Sequence, residues 1–306
     1  EEENETCQYQ DGGQQGGAGD DARGFRLSHI RSPMLRLGHI DYSNCVPVHA
    51  DLLRGSRPDV QIVHGTPAVL NRALAAGEID VAPCSSIEYA RHADRYRILP
   101  DLAIGSFGPV QSIRLESTQP LDRLEAATVA IPTASATSVV LLRVLLELRF
   151  GVRAELRWFD QESGDDPIAA GADAVLWIGD LALRRAQQQD RTAHDLGALW
   201  TEWTGLPFAF ALWQTGLGAQ RDPELQRLHR LLLESRSAAL SDPDRVAREH
   251  AHRLQLAAAR LADYWRGLHY VLDPAMLRGL LRFYEHAATL GEIDQVPALR
   301  FVPAVI

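Results

Sequence analysis

From Met34 onward, short apolar runs alternate with helix patterns, and this alternation constrains the fold more than any other feature of the chain. LRLGHI and VQIVHG read as strands, and TPAVLNRALAAG reads as a helix. Thr66 stands at the cap of that helix, Pro67 at its first position and Gly77 just past its end. IDVAP predicts a third strand, and SSIEYARHAD a helix opened by Ser85 or Ser86. Strands separated by helices in this way predict an α/β fold with mostly parallel sheets and helices on their faces.

The pattern changes over 98–117, where LAIGS and PVQSIRLES are β-like with no helix between them, as suits a chain crossing from one lobe to another. Pro120 opens a second α/β set: TVAIP and the helix after it, AELRWF, ADAVLWIG with a helix from Asp180, and the aromatic segment DLGALWTEWTGLPFAFALW. From Asp222 to Leu290 the pattern is almost wholly helical, with Leu225, Leu228, Leu231 and Leu232 at a spacing that serves packing. The grouping predicts two lobes, the first from 34–116 plus 210–306 and the second, 117–209, inserted into it. Loops at the carboxyl ends of the strands then face one another across a ligand cleft. Residues 1–33 are rich in Gly, Gln and acids and lack a periodic apolar pattern, so they are expected to be a disordered or non-native extension, with the folded part starting at Met34.

The 306 residues suffice for one large domain or two moderate lobes, and 46% hydrophobic content fills their cores. A formal charge of −9 argues against nucleic acid and against an anionic membrane surface as partners. The chain contains no Lys, which excludes a Schiff-base lysine and a phosphate-loop lysine. Cys7, Cys45 and Cys84 are an odd number without paired spacing, which suggests a reducing compartment or simply free thiols. There is no CxxC or HExxH pattern, and His250 and His252 fall on different faces of a predicted helix, so no metal is expected. Residues 1–33 lack the apolar run expected of a secretory signal peptide, and no later run is long and apolar enough to be expected to span a bilayer. Neither GxSxG nor GxGxxG occurs, which disfavours a serine-hydrolase triad and a dinucleotide site.

Between Val129 and Phe150, a strand, a loop with Thr133, Ser135, Thr137 and Ser138, and an apolar helix follow one another. The first N–H groups of a helix have no partner inside it, so a carboxylate or phosphate can take them, helped by the dipole and the hydroxyls. An N-cap is the plainer reading, but one cap needs one hydroxyl and here four fall within six residues. Three other strand-end loops share uncharged donors: GHIDYSNCVP with Asn44, CSSIEY with Ser85 and Ser86, and GPVQS with Ser112. Turn formation accounts equally for Asn44, and capping for one of the two serines. Asp41 and Asp180 are the acids best placed at strand ends, and Asp180 in IGDLAL can also cap the helix that follows.

GHIDYSNCVP, GPVQS, TASATSV, AVLWIGDLAL and above all HDLGALWTEWTGLPFAFALW resemble the chorismate dehydratases of the futalosine route to menaquinone. The resemblance runs over almost the whole chain from Met34. It implies a two-lobed fold like that of type II periplasmic solute-binding proteins, put to catalytic use in the cytoplasm. The implied reaction removes water from chorismate to give 3-[(1-carboxyvinyl)oxy]benzoate, with no cofactor and no metal. The family's active-site Asn and Ser fall on Asn44 and Ser112, and the remaining candidates for substrate contact are Ser85, Ser86, Thr133, Ser135, Thr137, Ser138, Gly179 and Asp180. A 1,4-dihydroxy-6-naphthoate synthase of the same route shares the implied fold and is the nearest alternative. A small-anion solute-binding protein is the alternative without turnover.

Overall fold

A computed structural model of the chain describes residues 34–55, 57–186, 191–216 and 218–303; the expectation for residues 1–33 lies outside the described residues. The predicted alternation forms two sheets. The chain runs β1 (Leu35–Ile40), α1 (Val46–Leu53), β2 (Val60–Gly65), α2 (Pro67–Ala75), β3 (Val81–Ser85), α3 (Ser86–Arg91) and β4 (Arg97–Ser106). It continues through β5 (Ile113–Ser117), β6 (Thr128–Pro132), α4 (Thr137–Val144), β7 (Glu155–Phe159), β8 (Ala174–Ile178), α5 (Gly179–Arg185), β9 (Thr192–Asp195) and α6 (Leu196–Thr204). β10 (Phe208–Thr215), α7 (Asp222–Ser241), α8 (Pro243–Leu254), α9 (Ala258–Gly267) and α10 (Pro274–Thr289) complete it.

The first sheet has the order β2-β1-β3-β10-β4 and the second β7-β6-β8-β5-β9. β1 is parallel to β2 and β3, whereas β10 returns antiparallel between β3 and β4. β6 is parallel to β7 and β8, and β5 is antiparallel to β8 and β9. The central strands β3, β8 and β10 are buried at every position, which is why VAPCS, AVLWI and FAFALWQT read as nearly continuous apolar runs. Each fully buried Leu, Ile or Val of this kind, such as Leu37, Val81 and Leu176, contributes about 1.5–3 kcal/mol of transfer free energy.

The α2 punctuation is realised as read: Thr66 Oγ1 accepts the Val69 N–H at 3.4 Å, and Gly77 has φ +71°. The C-terminal helices belong with the first sheet, α7 packing on α1 and β4 and α10 on β10. One difference concerns where the chain crosses between sheets. β5 is hydrogen-bonded into the second sheet from Ile113↔Ile178 to Ser117↔Ala174, so the crossing occupies 107–112 rather than the expected step at 116. The return crossing lies at 205–207, between α6 and β10. Among the described residues, no helix is long and apolar enough to cross a membrane.

Candidate active site

The loops at the strand ends meet in a pocket between the two sheets. Asn44 and Ser85 reach it from the first sheet, and Ser112, Ser135, Ser138 and Gly179 from the crossing and the second. Ile40, Ile104, Ile113, Ile178 and Phe210 supply apolar walls. Six of the ten residues singled out from the sequence are thus brought together, and no charged side chain lines the cavity among the described residues.

The other four are placed elsewhere. Thr133 is exposed on the loop before α4, its N–H donating to the Phe159 carbonyl at 3.2 Å. Ser86 Oγ donates to the Ala209 carbonyl at 2.8 Å, and Thr137 Oγ1 accepts the Ile87 N–H at 3.2 Å while lying 3.3 Å from Ser86 Oγ. Because the Ser86 proton is committed to Ala209, the Thr137 hydroxyl donates to Ser86. Thr137 therefore ties the start of α4 to the start of α3, across the two lobes. Asp180 also ties the lobes together: its carboxylate accepts the Ser43 N–H at 2.9 Å and the Ser43 hydroxyl at 2.5 Å. Burial raises the pKa of Asp180, and the Ser43 donors work against that rise. Gly179 beside it has φ +66°, and a Cβ there would come within 2.9 Å of the Tyr42 ring, so only glycine fits this lobe contact.

Ser112 owes its position to Asp195, which is not among the ten residues that the sequence marks as candidates. The Asp195 carboxylate accepts the N–H groups of Val110 at 2.9 Å, Gln111 at 2.6 Å and Ala198 at 3.0 Å, capping α6 and pinning the crossing at once. Gln111, immediately before Ser112, is held at φ +64°, a conformation that costs a non-glycine residue on the order of 1 kcal/mol. Asn44 sits in a single 3₁₀ turn over Ser43–Cys45, and its Oδ1 is buried without a partner beside the cavity. An orphaned acceptor of this kind costs about 1–3 kcal/mol, which a ligand donor would recover. Ser135 Oγ accepts the Ser138 N–H at 3.4 Å and donates to Ser138 Oγ at 3.1 Å, leaving the Ser138 proton for the cavity. Neutral donors oriented from behind suit this site to holding and polarising an anion, while the unpaired Asn44 oxygen suits a donor such as a substrate hydroxyl; no base lines the cavity among the described residues.

Folding also assembles a cluster that the sequence spacing concealed. His39, Cys45 and His49, all fully buried, bring their ligand-type atoms within 4.8 Å of one another, a combination suited to a metal. The Trp213 indole N–H, which can only donate, points at His49 Nε2 from 3.0 Å, so the His49 proton must sit on Nδ1. From there it donates to His39 Nδ1 at 2.9 Å, and no lone pair of His49 remains for a cation. Burial holds both rings neutral, lowering the pKa of His39 to about 2 and of His49 to about 3.

Comparison with known proteins gives a consistent answer. The family model for menaquinone biosynthesis matches residues 35–289. Over 267 residues, spanning 81% of this chain and 93% of the relative, the sequence is 35% identical to the chorismate dehydratase of Thermus thermophilus. Over 179 residues, 57% of this chain and 64% of the relative, it is 32% identical to the chorismate dehydratase of Campylobacter jejuni. Among solved structures, protein AF1704 from Archaeoglobus fulgidus superposes with a TM-score of 0.69 at 20% identity, covering 86% of this chain and 100% of that one. The periplasmic aliphatic sulphonate binding protein SsuA from Escherichia coli gives 0.63 at 14% identity, over 90% of this chain and 94% of its own. These structural likenesses establish the periplasmic-binding-protein-like fold.

Proposed function

The chain belongs to the menaquinone biosynthesis family of chorismate dehydratases, and from that membership we propose that the cavity at Asn44 and Ser112 removes water from chorismate to give 3-[(1-carboxyvinyl)oxy]benzoate. The observation that carries this reading is the lining itself: neutral hydroxyl and amide groups from both lobes, and no free acid, amine or imidazole among the described lining residues. Such a site suits a substrate that brings both its charge and its driving force. In chorismate the proton on the ring carbon bearing the enolpyruvyl ether is vinylogous to the ring carboxylate, and the neighbouring carbon bears a hydroxyl. Removing the proton gives a dienolate; its electron pair closes the aromatic ring as the carbon–oxygen bond to the hydroxyl breaks, and hydroxide leaves as water. Aromatisation drives the second step, so the protein has only to hold the carboxylates, stabilise the dienolate and help the hydroxide depart.

In this assignment Ser138, with the N-terminus of α4, holds one carboxylate. Asn44 and Ser112 act at the reacting face, Ser112 donating where negative charge develops. The substrate's enolpyruvyl carboxylate takes the ring proton and passes it to the departing hydroxide, which accounts for a lining without a base. Thr137 and Asp180 hold the lobes in register and do not touch substrate. The same reading carries chorismate as the small-molecule partner and the cytoplasm as the place of action.

Ser138 and Thr137 separate these roles experimentally. Ser138→Ala is expected to raise the dissociation constant for chorismate by about tenfold or more, since a hydrogen bond to a charged group contributes about 1.5–3 kcal/mol. Thr137→Ala is expected to lower thermal stability and leave affinity within about twofold. Calorimetric titration and thermal melts of both variants check this; unchanged affinity in Ser138→Ala would reduce the loop to a helix cap.

A further inference from the structure

We propose that Tyr264, on α9, is a positioning residue for the elimination: its phenol donates to Ser112 Oγ at 2.8 Å and so turns the Ser112 proton into the cavity. The inference rests on the reading of the cavity given above and adds to it a residue from the C-terminal helices. The two residues are buried, Tyr264 at 1% and Ser112 at 2% exposure, which shields the bond between them from bulk solvent. Ser112 has its backbone committed, the N–H to the Val110 carbonyl at 2.8 Å and the carbonyl to the Gly179 N–H at 2.8 Å. Only its hydroxyl is left to choose a direction. A phenol is the more acidic partner and the poorer acceptor, so Tyr264 donates and Ser112 accepts. The serine proton is then free for an acceptor in the cleft, where the departing hydroxyl and the developing dienolate need one.

The neighbours of Tyr264 extend the same arrangement to the other motif. Trp265 Nε1 donates to the Ser43 carbonyl at 2.9 Å, and Tyr270, just past the end of α9, donates to the Asn44 carbonyl at 2.9 Å. One short stretch of helix and turn thus holds both the Asn44 turn and the Ser112 hydroxyl. Tyr264 stands out within it because its partner is a side-chain group that faces substrate, whereas the other two hold backbone.

The test is steady-state kinetics on chorismate with Tyr264→Phe, which keeps the ring and removes the hydroxyl. The expected result is a fall in kcat of about tenfold with KM within about twofold, the scale of one hydrogen bond lost in the transition state only. In a Ser112→Ala background the same change is expected to have no further effect, because the group it positions is gone. Tyr89→Phe serves as comparator: its hydroxyl donates to the Ala298 carbonyl at 2.9 Å and accepts the Arg300 N–H at 2.7 Å, none of the three residues lines the cavity, and its loss is expected to lower stability without changing kcat. A wild-type kcat in Tyr264→Phe, or an equal loss in both backgrounds, overturns the proposal. A wild-type protein that leaves chorismate unchanged overturns the functional reading instead. In that event the crystal structure of Tyr264→Phe decides: Ser112 spread over several rotamers supports the positioning role, and Ser112 fixed as before overturns it.

Discussion

Ser112→Ala is expected to lower kcat on chorismate by about 10²–10³-fold while the protein keeps its melting temperature within a few degrees. The magnitude follows from removing a fixed donor at the place where charge develops, in a cavity walled by Ile40, Ile104, Ile113, Ile178 and Phe210. Such a donor is already oriented when charge forms, here by Tyr264 from one side and by the Asp195-pinned crossing from the other, so no reorganisation is needed at that moment. The stability loss is confined to leaving the buried Tyr264 hydroxyl without its acceptor, about 1–3 kcal/mol, because among the described residues Ser112 Oγ is hydrogen-bonded to no other group of the fold. Turnover measured beside a thermal melt checks both halves; a wild-type rate would remove Ser112 from the chemistry.

The second large effect is acid sensitivity originating in the buried histidines. With a folded pKa of about 2 for His39 and about 3 for His49, neither takes up a proton in the native state at moderately acidic pH. Both take one in the unfolded chain as pH falls through about 6.5. The unfolded state therefore binds more protons across this window, and the stability present above about pH 6.5 is lost as pH falls toward 3. With two protons at stake, the slope reaches about 2.7 kcal/mol per pH unit. His49→Gln can still accept from Trp213 and donate to His39. It is expected to reduce the slope between pH 6 and 5 by about one proton, or about 1.4 kcal/mol per unit. Urea unfolding of both proteins at several pH values tests this; identical slopes would mean that the pair does not set the acid limit.

The architecture was legible in the sequence because it rests on local signals. Thr66, Pro67 and Gly77 frame α2 by cap, ring and positive φ, and the uninterrupted runs of β3, β8 and β10 report strands covered on both faces. The strand, hydroxyl loop and helix from Val129 to Phe150 were equally visible, yet the division of labour among its hydroxyls was not. Ser138 faces the cavity and Thr137 the other lobe, and what separates them is a partner 50 residues away. Asp180 reads as a helix cap or a ligand contact until Ser43, 137 residues distant, is placed against it.

Tyr264 lies in a stretch whose apolar spacing suggests packing alone, and its hydroxyl acquires a role only when α9 meets the crossing, 152 residues back in the chain. The histidine cluster was hidden differently. His39, Cys45 and His49 come from a strand, a 3₁₀ turn and a helix, so no ligand-like spacing precedes folding. The donor that fixes their protons is Trp213, 164 residues from His49. Periodicity identifies which faces are buried; it carries no information about which loops will meet.

Whether this cavity performs an elimination on chorismate is tested by one incubation. Purified protein is mixed with chorismate, and the products are followed by mass and by ultraviolet absorbance. The expected result is loss of one water and the appearance of an aromatic product, 3-[(1-carboxyvinyl)oxy]benzoate, with Asn44→Ala and Ser112→Ala both far slower. Chorismate that is bound and recovered unchanged would contradict it and leave a small-anion binding protein built on the same fold.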